Sequence, residues 1–276
     1  MSIIFDQAKR KCYNALQEQK NMTAIKNIYI THEQGLELVA PLVHDALSDL
    51  MDCFPRHKGN YPISNLGNWQ SENKYFSQNG QTYLAPYESI DWYIRSAEEQ
   101  GKRDGRFYER GQISIDSLYD NLSSDPYAKK IPQLSVLITK RDLYGTQSDG
   151  RLLNYCLGVS REDHFSIIST ARFLDRNGVL DQEGFKTVVM HEFGHVLGLT
   201  RSGRTNTHEA LGPHCLDDCC IMQQKLDGDF SEITRRRLIF KQNGLAPICP
   251  DCIKEGERYF TNNLYQYQLR QQGYSR

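Results

Sequence analysis

Apolar residues recur near helical spacing over residues 32–54, where Leu36, Val39, Ala40, Val43, Leu47, Leu50 and Met51 share one side. The spacing predicts a helix there. A weaker helical pattern runs from Met1 to about Lys20, and a further short helix is predicted over residues 88–100. Residues 55–82 between them are rich in Asn, Gly, Ser, Pro and Gln and read as loop. No repeat occurs, and nothing before about residue 105 carries recognisable chemistry. Residues 1–104 are therefore expected to form a mostly helical N-terminal extension of unknown role.

The pattern sharpens downstream. Residues 112–122 read as a short helix and residues 134–139 as a compact β-branched strand. Residues 143–154 read as loop, and residues 165–173 as a second strand. Asn177-Gly178 marks a turn, after which a helix is predicted from the N-cap Asp181, with Glu183 at its positive end. Helices and strands intermixed predict an α+β fold with α/β-type layers. Residues 105–260 are expected to form the main domain and residues 261–276 a polar tail.

Composition narrows the classes. The 276 residues carry a net charge of -1, without the basic excess of an electrostatic nucleic-acid binder. No stretch approaches the roughly 18–20 apolar residues that cross a bilayer. Met1 to Lys20 lacks the pattern of a secretion signal, so a cytoplasmic location is expected. Of eight cysteines, Cys215, Cys219, Cys220, Cys249 and Cys252 crowd the last part of the chain. In a chain without an export signal, such clustering points to metal ligation before disulfides.

The predicted helix carries His191-Glu-Phe-Gly-His195. Residues four apart share one helix face, so both imidazoles reach one ion. Zinc accepts neutral nitrogen ligands and keeps a position open for water at catalytic sites. Glu192, beside the first ligand, is placed to act as a base on that water. Phe185, Val188, Val189, Phe193, Val196 and Leu197 give the motif an apolar frame, and Gly198 can supply the left-handed turn that ends a helix. A third ligand is still needed. In the metzincin signature it follows two residues after the glycine, but that position is Arg201 here, which leaves His208 and His214 as candidates. A glutamate is the third ligand in other H-E-x-x-H peptidases, and Glu209 is the nearby candidate for that arrangement.

His214-Cys215 is followed by four residues, then Cys220-Ile-Met222, and later Cys249-Pro-Asp-Cys252. With the H-E-x-x-H-x-x-G opening, this resembles the archaemetzincin family, with longer spacings before His214 and between Cys220 and Cys249. The resemblance implies that His214 is the third zinc ligand and that the segment from Thr200 to Pro213 is an insertion, which closure entropy tolerates. It implies a mixed sheet with a central active-site helix, and a floor of Met222 beneath the histidines. Cys215, Cys220, Cys249 and Cys252 offer the closed four-sulfur shell of a structural zinc, with Cys219 as the spacing alternative to Cys220. Two zinc ions per chain are thus expected.

The activity implied is peptide-bond hydrolysis with Glu192 as general base, on a peptide or protein substrate. The resemblance also implies that the substrate pairs with an exposed sheet edge at residues 165–173, with Tyr144 and Arg172 as candidate contacts. The alternatives are a peptidase using Glu209 as third ligand, and a catalytically silent, zinc-stabilised binding protein.

Overall fold

The computed structural model describes residues 25–69, 75–78, 81–84, 89–124, 133–147, 150–201, 203–209, 212–224 and 230–272. The predicted helical segment at Met1 to Lys20 lies outside them. In chain order the elements are β1 (Asn27–His32), α1 (Ala40–Met51), β2 (Ile63–Gly67), β3 (Tyr75–Gln78), β4 (Gln81–Leu84), α2 (Ile90–Arg103), α3 (Arg106–Arg110) and β5 (Ile113–Ser114). There follow α4 (Ile115–Ser124), β6 (Gln133–Thr139), β7 (Leu143–Tyr144), β8 (Gly158–Arg161), β9 (Phe165–Ser169) and α5 (Gln182–Val196). The chain continues with β10 (Thr207–His208), β11 (His214–Cys215), α6 (Ser231–Gln242) and α7 (Pro250–Gln271).

Alternate residues of the central strands face two different cores, as the period of a strand requires. Val136 and Ile138 of β6 and Ile168 of β9 join one apolar cluster, with Val43 and Leu47 of α1 and Val188 and Phe193 of α5. Leu137 and Ile167 join a second cluster with Tyr93 and Ala97 of α2 and Leu118 of α4. Helices therefore cover both faces of a five-stranded sheet in the order β2-β1-β6-β9-β8. β1, β2, β6 and β9 run parallel, and β8 runs antiparallel to β9 at one edge. This is the mixed sheet and layered fold expected from the sequence.

The boundary expected at residue 104 does not divide the sheet. β1 pairs in register with β6 from Asn27↔Gln133 to His32↔Ile138, and with β2 on its other side. The first part of the chain thus supplies two of the five strands, β1 lying next to the central β6, and α1 packs against α5. A strand buried on both faces shows no alternation, so its periodicity cannot be told from that of a short buried helix. The predicted helix over 32–54 shrinks to α1, and the predicted loop at 55–82 holds β2, β3 and the start of β4. The second predicted strand ends at Ser169 and passes into a tight turn at Ala171–Phe173. No break falls at residue 260, because α7 runs through it and packs Phe260 against Phe54 and Tyr61, with ring centroids 5.1 and 4.9 Å apart. Among the described residues no helix is long and apolar enough to cross a membrane.

A fragment beginning at residue 105 is expected to show no cooperative thermal transition by far-UV circular dichroism, since it lacks β1 and β2 and leaves the central strand β6 unpaired on one side. Leu47→Ala in the full chain should cost about 2–5 kcal/mol in urea unfolding, the range for a buried leucine whose cavity stays open.

Candidate functional site

Local chemistry fixes both ends of α5. The Asp181 side chain accepts the Gly184 N–H at 3.0 Å and caps the first turn. At the other end Gly198, at φ +62°, donates to His195 O at 3.0 Å, and Leu199 N donates to Gly194 O at 3.0 Å. This pair of bonds is a Schellman stop, and it turns the chain away directly after His195. His191 and His195 lie one turn apart on the helix, with their Nε2 atoms 3.3 Å from each other.

β11 brings in His214. Its ring stacks on His191 at a centroid distance of 5.2 Å and meets the edge of His195 at 4.8 Å. One ring nitrogen of each histidine is already engaged. His191 Nδ1 lies 2.7 Å from Ile221 O, His214 Nδ1 lies 2.9 Å from Gly212 O, and His195 Nδ1 lies 3.1 Å from Thr200 Oγ1. Carbonyl acceptors fix Nδ1 as the protonated nitrogen in His191 and His214 and leave the Nε2 lone pairs facing inward. Burial, reinforced by the charge of His214, holds His191 down at about 4. Burial likewise depresses His195 and His214. All three are therefore neutral near pH 7, as ligation requires.

The donor set fits a metal. One ligand atom from each of the three histidines lies within 4.8 Å of the others. Two nitrogens on a tetrahedral zinc at the usual bond length stand about 3.3 Å apart, which matches the His191–His195 spacing. His208 does not join the group. It pairs with His214 across the β10–β11 ladder, and its Nδ1 lies 3.1 Å from Gln224 Oε1. Glu209 is exposed, accepts the Gly203 N–H at 3.4 Å and also stands outside the group. Met222 is fully buried beneath the helix. A Cβ placed on Gly194 would lie 2.3 Å from Met222 Sδ, so Gly194 is what lets the two approach.

Glu192 faces a cleft of about 1310 Å³ whose lining includes His191, His195, His214 and residues 157–160. Burial pushes its carboxyl up to about 7, against the opposing hydrogen bond from Ser160. Ser160 Oγ lies 2.7 Å from Glu192 Oε2 and 2.8 Å from Glu192 O, tying the carboxylate to β8. Gly158 makes room for it. A Cβ there would stand 2.7 Å from Ile167 O and 2.9 Å from Glu192 Cγ and Cδ. The strand edge at this cleft is β8, not the predicted strand at 165–173. β9 is internal, with β6 and β8 on its two sides, and all its residues are buried. Tyr144 is also not a surface contact, being fully buried with its hydroxyl bonded to Asp104. Arg172 is held in a two-pronged bond to Asp142 at 2.9 and 2.8 Å and lies over the Tyr155 ring at 4.1 Å.

Cys215, Cys220, Cys249 and Cys252 form a second group, all buried, with sulfurs within 4.8 Å of one another. Cys215–Cys249 and Cys220–Cys252 sulfurs are 3.6 Å apart, far beyond a disulfide and close to the about 3.8 Å of two thiolates on a tetrahedral zinc. Cys219, the spacing alternative, is exposed and outside the group. Hydrogen bonds among the four thiols lower Cys215 and Cys249 and raise Cys220 and Cys252, so the sulfurs act as one group. Ser160, Thr200 and Arg204, which touch these groups, were not legible in the sequence. Ser160 and Arg204 act across 32 and 48 residues, and Thr200, five residues after His195, lies past the helix end where helical spacing no longer sets its direction.

A mixed sheet, a helix bearing a buried glutamate and two histidines that converge with a third from β11, and a four-cysteine cluster define a fold with two candidate metal centres. The fold is that of archaemetzincin. The crystal structure of archaemetzincin from Methanopyrus kandleri aligns with 87% of this chain and 97% of its own, with a TM-score of 0.50 and 18% identity. No protein-family profile matches the chain, and no curated protein sequence does.

Gly158→Ala should lower stability by about 1–3 kcal/mol in urea unfolding, the usual cost of overpacking, because the added methyl meets a backbone carbonyl and the Glu192 stem together.

Proposed function

We propose that this protein is a zinc-dependent peptidase. His191, His195 and His214 hold the catalytic ion, and Cys215, Cys220, Cys249 and Cys252 hold a structural one. The observation that carries the reading is the convergence of three neutral imidazoles beside a buried carboxylate, at a cleft rimmed by a sheet edge. A purely structural site has no use for a base at Glu192.

When bound, zinc supplies Lewis acidity, polarising a carbonyl and acidifying a water. The chain's own residues do the rest. The outer edge of β8 offers main-chain hydrogen bonds to an extended peptide, and the cleft walls offer pockets for its side chains. Glu192 takes the proton of the attacking water and returns it to the leaving amine. Ser160 holds the carboxylate in place through that cycle, accepting or donating no proton itself. The Nδ1 bonds of His191, His195 and His214 keep each ring oriented.

Glu192→Gln is expected to retain the metal content of the wild type while peptide cleavage falls about a thousandfold, the scale of a lost general base. Metal content per chain and a peptide library read by mass spectrometry check this together. Undiminished cleavage by the variant would remove the proposed mechanism. His214→Ala should lose one metal ion per chain and keep the other. Ser160→Ala should keep both ions and lose on the order of tenfold in kcat, as expected for a lost hydrogen bond to a charged group.

A further inference from the structure

The segment from Thr200 to Pro213 reads as an insertion, yet its described residues are fastened at several points. β10 within it pairs with β11, Thr207↔Cys215 and His208↔His214. Leu216 N donates to Asn206 O at 3.0 Å, and Asn206 Nδ2 donates to Asp251 Oδ2 at 2.6 Å, in the first turn of α7. Thr207 Oγ1 bonds back to Arg204 O at 2.7 Å.

Arg204 sits at the centre of these contacts. Its Nη1 donates to Leu199 O at 3.0 Å, just past the end of α5, and lies 3.4 Å from Cys252 Sγ. Its Nη2 lies 3.3 Å from Cys215 Sγ and 3.5 Å from Cys252 Sγ. One planar guanidinium thus spans the exit of the histidine-bearing helix and two sulfurs that come from distant parts of the chain. Two backbone N–H groups also reach the sulfurs: Asp217 N at 3.4 Å from Cys215 and Cys249 N at 3.5 Å from Cys220. Arg204 differs from them in carrying a full charge.

That charge has a use only if the sulfurs are thiolates. Four thiolates around a divalent ion keep a net charge of two minus, in a site where all four cysteines are buried. A partly buried guanidinium answers part of that charge through charge-assisted hydrogen bonds, and its fixed fork reaches both sulfurs at once.

We propose that Arg204 is a positioning residue for both centres: it neutralises and orients the four-cysteine metal site, and through Cys215 it sets the placement of the adjacent His214. The inference rests on the reading of the cysteines as metal ligands. The described residues around Arg204 and β10 then couple the two sites.

The test uses the full chain, loaded with cobalt in place of zinc, as wild type, Arg204→Gln and Arg204→Lys. Cobalt bound by thiolates gives a sulfur-to-metal charge-transfer band in the near ultraviolet, which the histidine site lacks. Affinity at each site is read by chelator competition, and folding by circular dichroism. Arg204→Gln should lose tenfold or more in affinity at the thiolate site, the usual effect of removing an outer-shell partner, with a shifted charge-transfer band and a weaker histidine site. Arg204→Lys keeps the charge but not the fork and should fall between. If Arg204→Gln does not fold, the comparison of Arg204→Lys with wild type decides by the same readouts. Wild-type affinities and band in the folded variants would overturn the role of Arg204 while leaving the metal reading intact. A wild-type chain without the charge-transfer band would overturn the metal reading and the inference with it.

Discussion

His214 and Cys215 are consecutive residues of a two-residue strand, and consecutive strand side chains point to opposite sides. One therefore reaches the histidine group in the cleft while the other reaches the buried sulfur cluster. No rotation of the strand can serve one group without moving the other. The position of β11 is accordingly the constraint on which the site depends. It is fixed by pairing with β10, by the bond from Cys215 N to Met222 O at 2.9 Å, and by the sulfurs of α7.

The opposite wall of the site is held as firmly. α5 packs on β8 and β9 beside α1, which lies on β1 and β2, with Val188, Val189, Phe193 and Val196 buried. Such packing fixes the axial rotation of the helix, and with it the direction of His191 and His195. The polar groups that this burial isolates are each answered. Thr187 accepts from the buried Arg237 Nε at 3.0 Å, His191 bonds to Ile221 O, and Glu192 is bonded by Ser160. Burial of the imidazoles keeps them neutral, and burial of Glu192 raises its carboxyl into the range where it can exchange a proton near neutrality. The same apolar surroundings thus prepare the ligands and the base.

The β8–β9 turn joins these walls to the rest of the chain. Asp163 there takes a left-handed conformation, φ 63°, uncommon for a residue with a side chain. It is held by Lys26 before β1, by Tyr259 of α7 at 2.6 Å, and by its own N–H to Val196 O at 2.8 Å at the end of α5. The edge strand that carries Gly158 and Ser160 is in this way tied to both ends of the described chain and to the helix it faces.

Features whose parts lie within a few residues of each other were legible in the chain before folding. Asp181, the apolar frame, the two histidines and Gly198 specify a capped helix with two ligand-type side chains on one face, and Cys249-Pro-Asp-Cys252 specifies a paired grip at the start of another. These are contacts within a helical turn, and their geometry follows from chain stereochemistry alone. That His214 and not His208 stands with His191 and His195, and Cys220 and not Cys219 with the other sulfurs, follows from long-range packing. In both cases residues of like chemistry compete, and which one faces inward depends on the β10–β11 pairing for the histidines and on the turn after β11 for the cysteines. The same holds for β1, whose burial on both faces erased its periodicity, and for Ser160 and Arg204, whose partners lie 32 and 48 residues away.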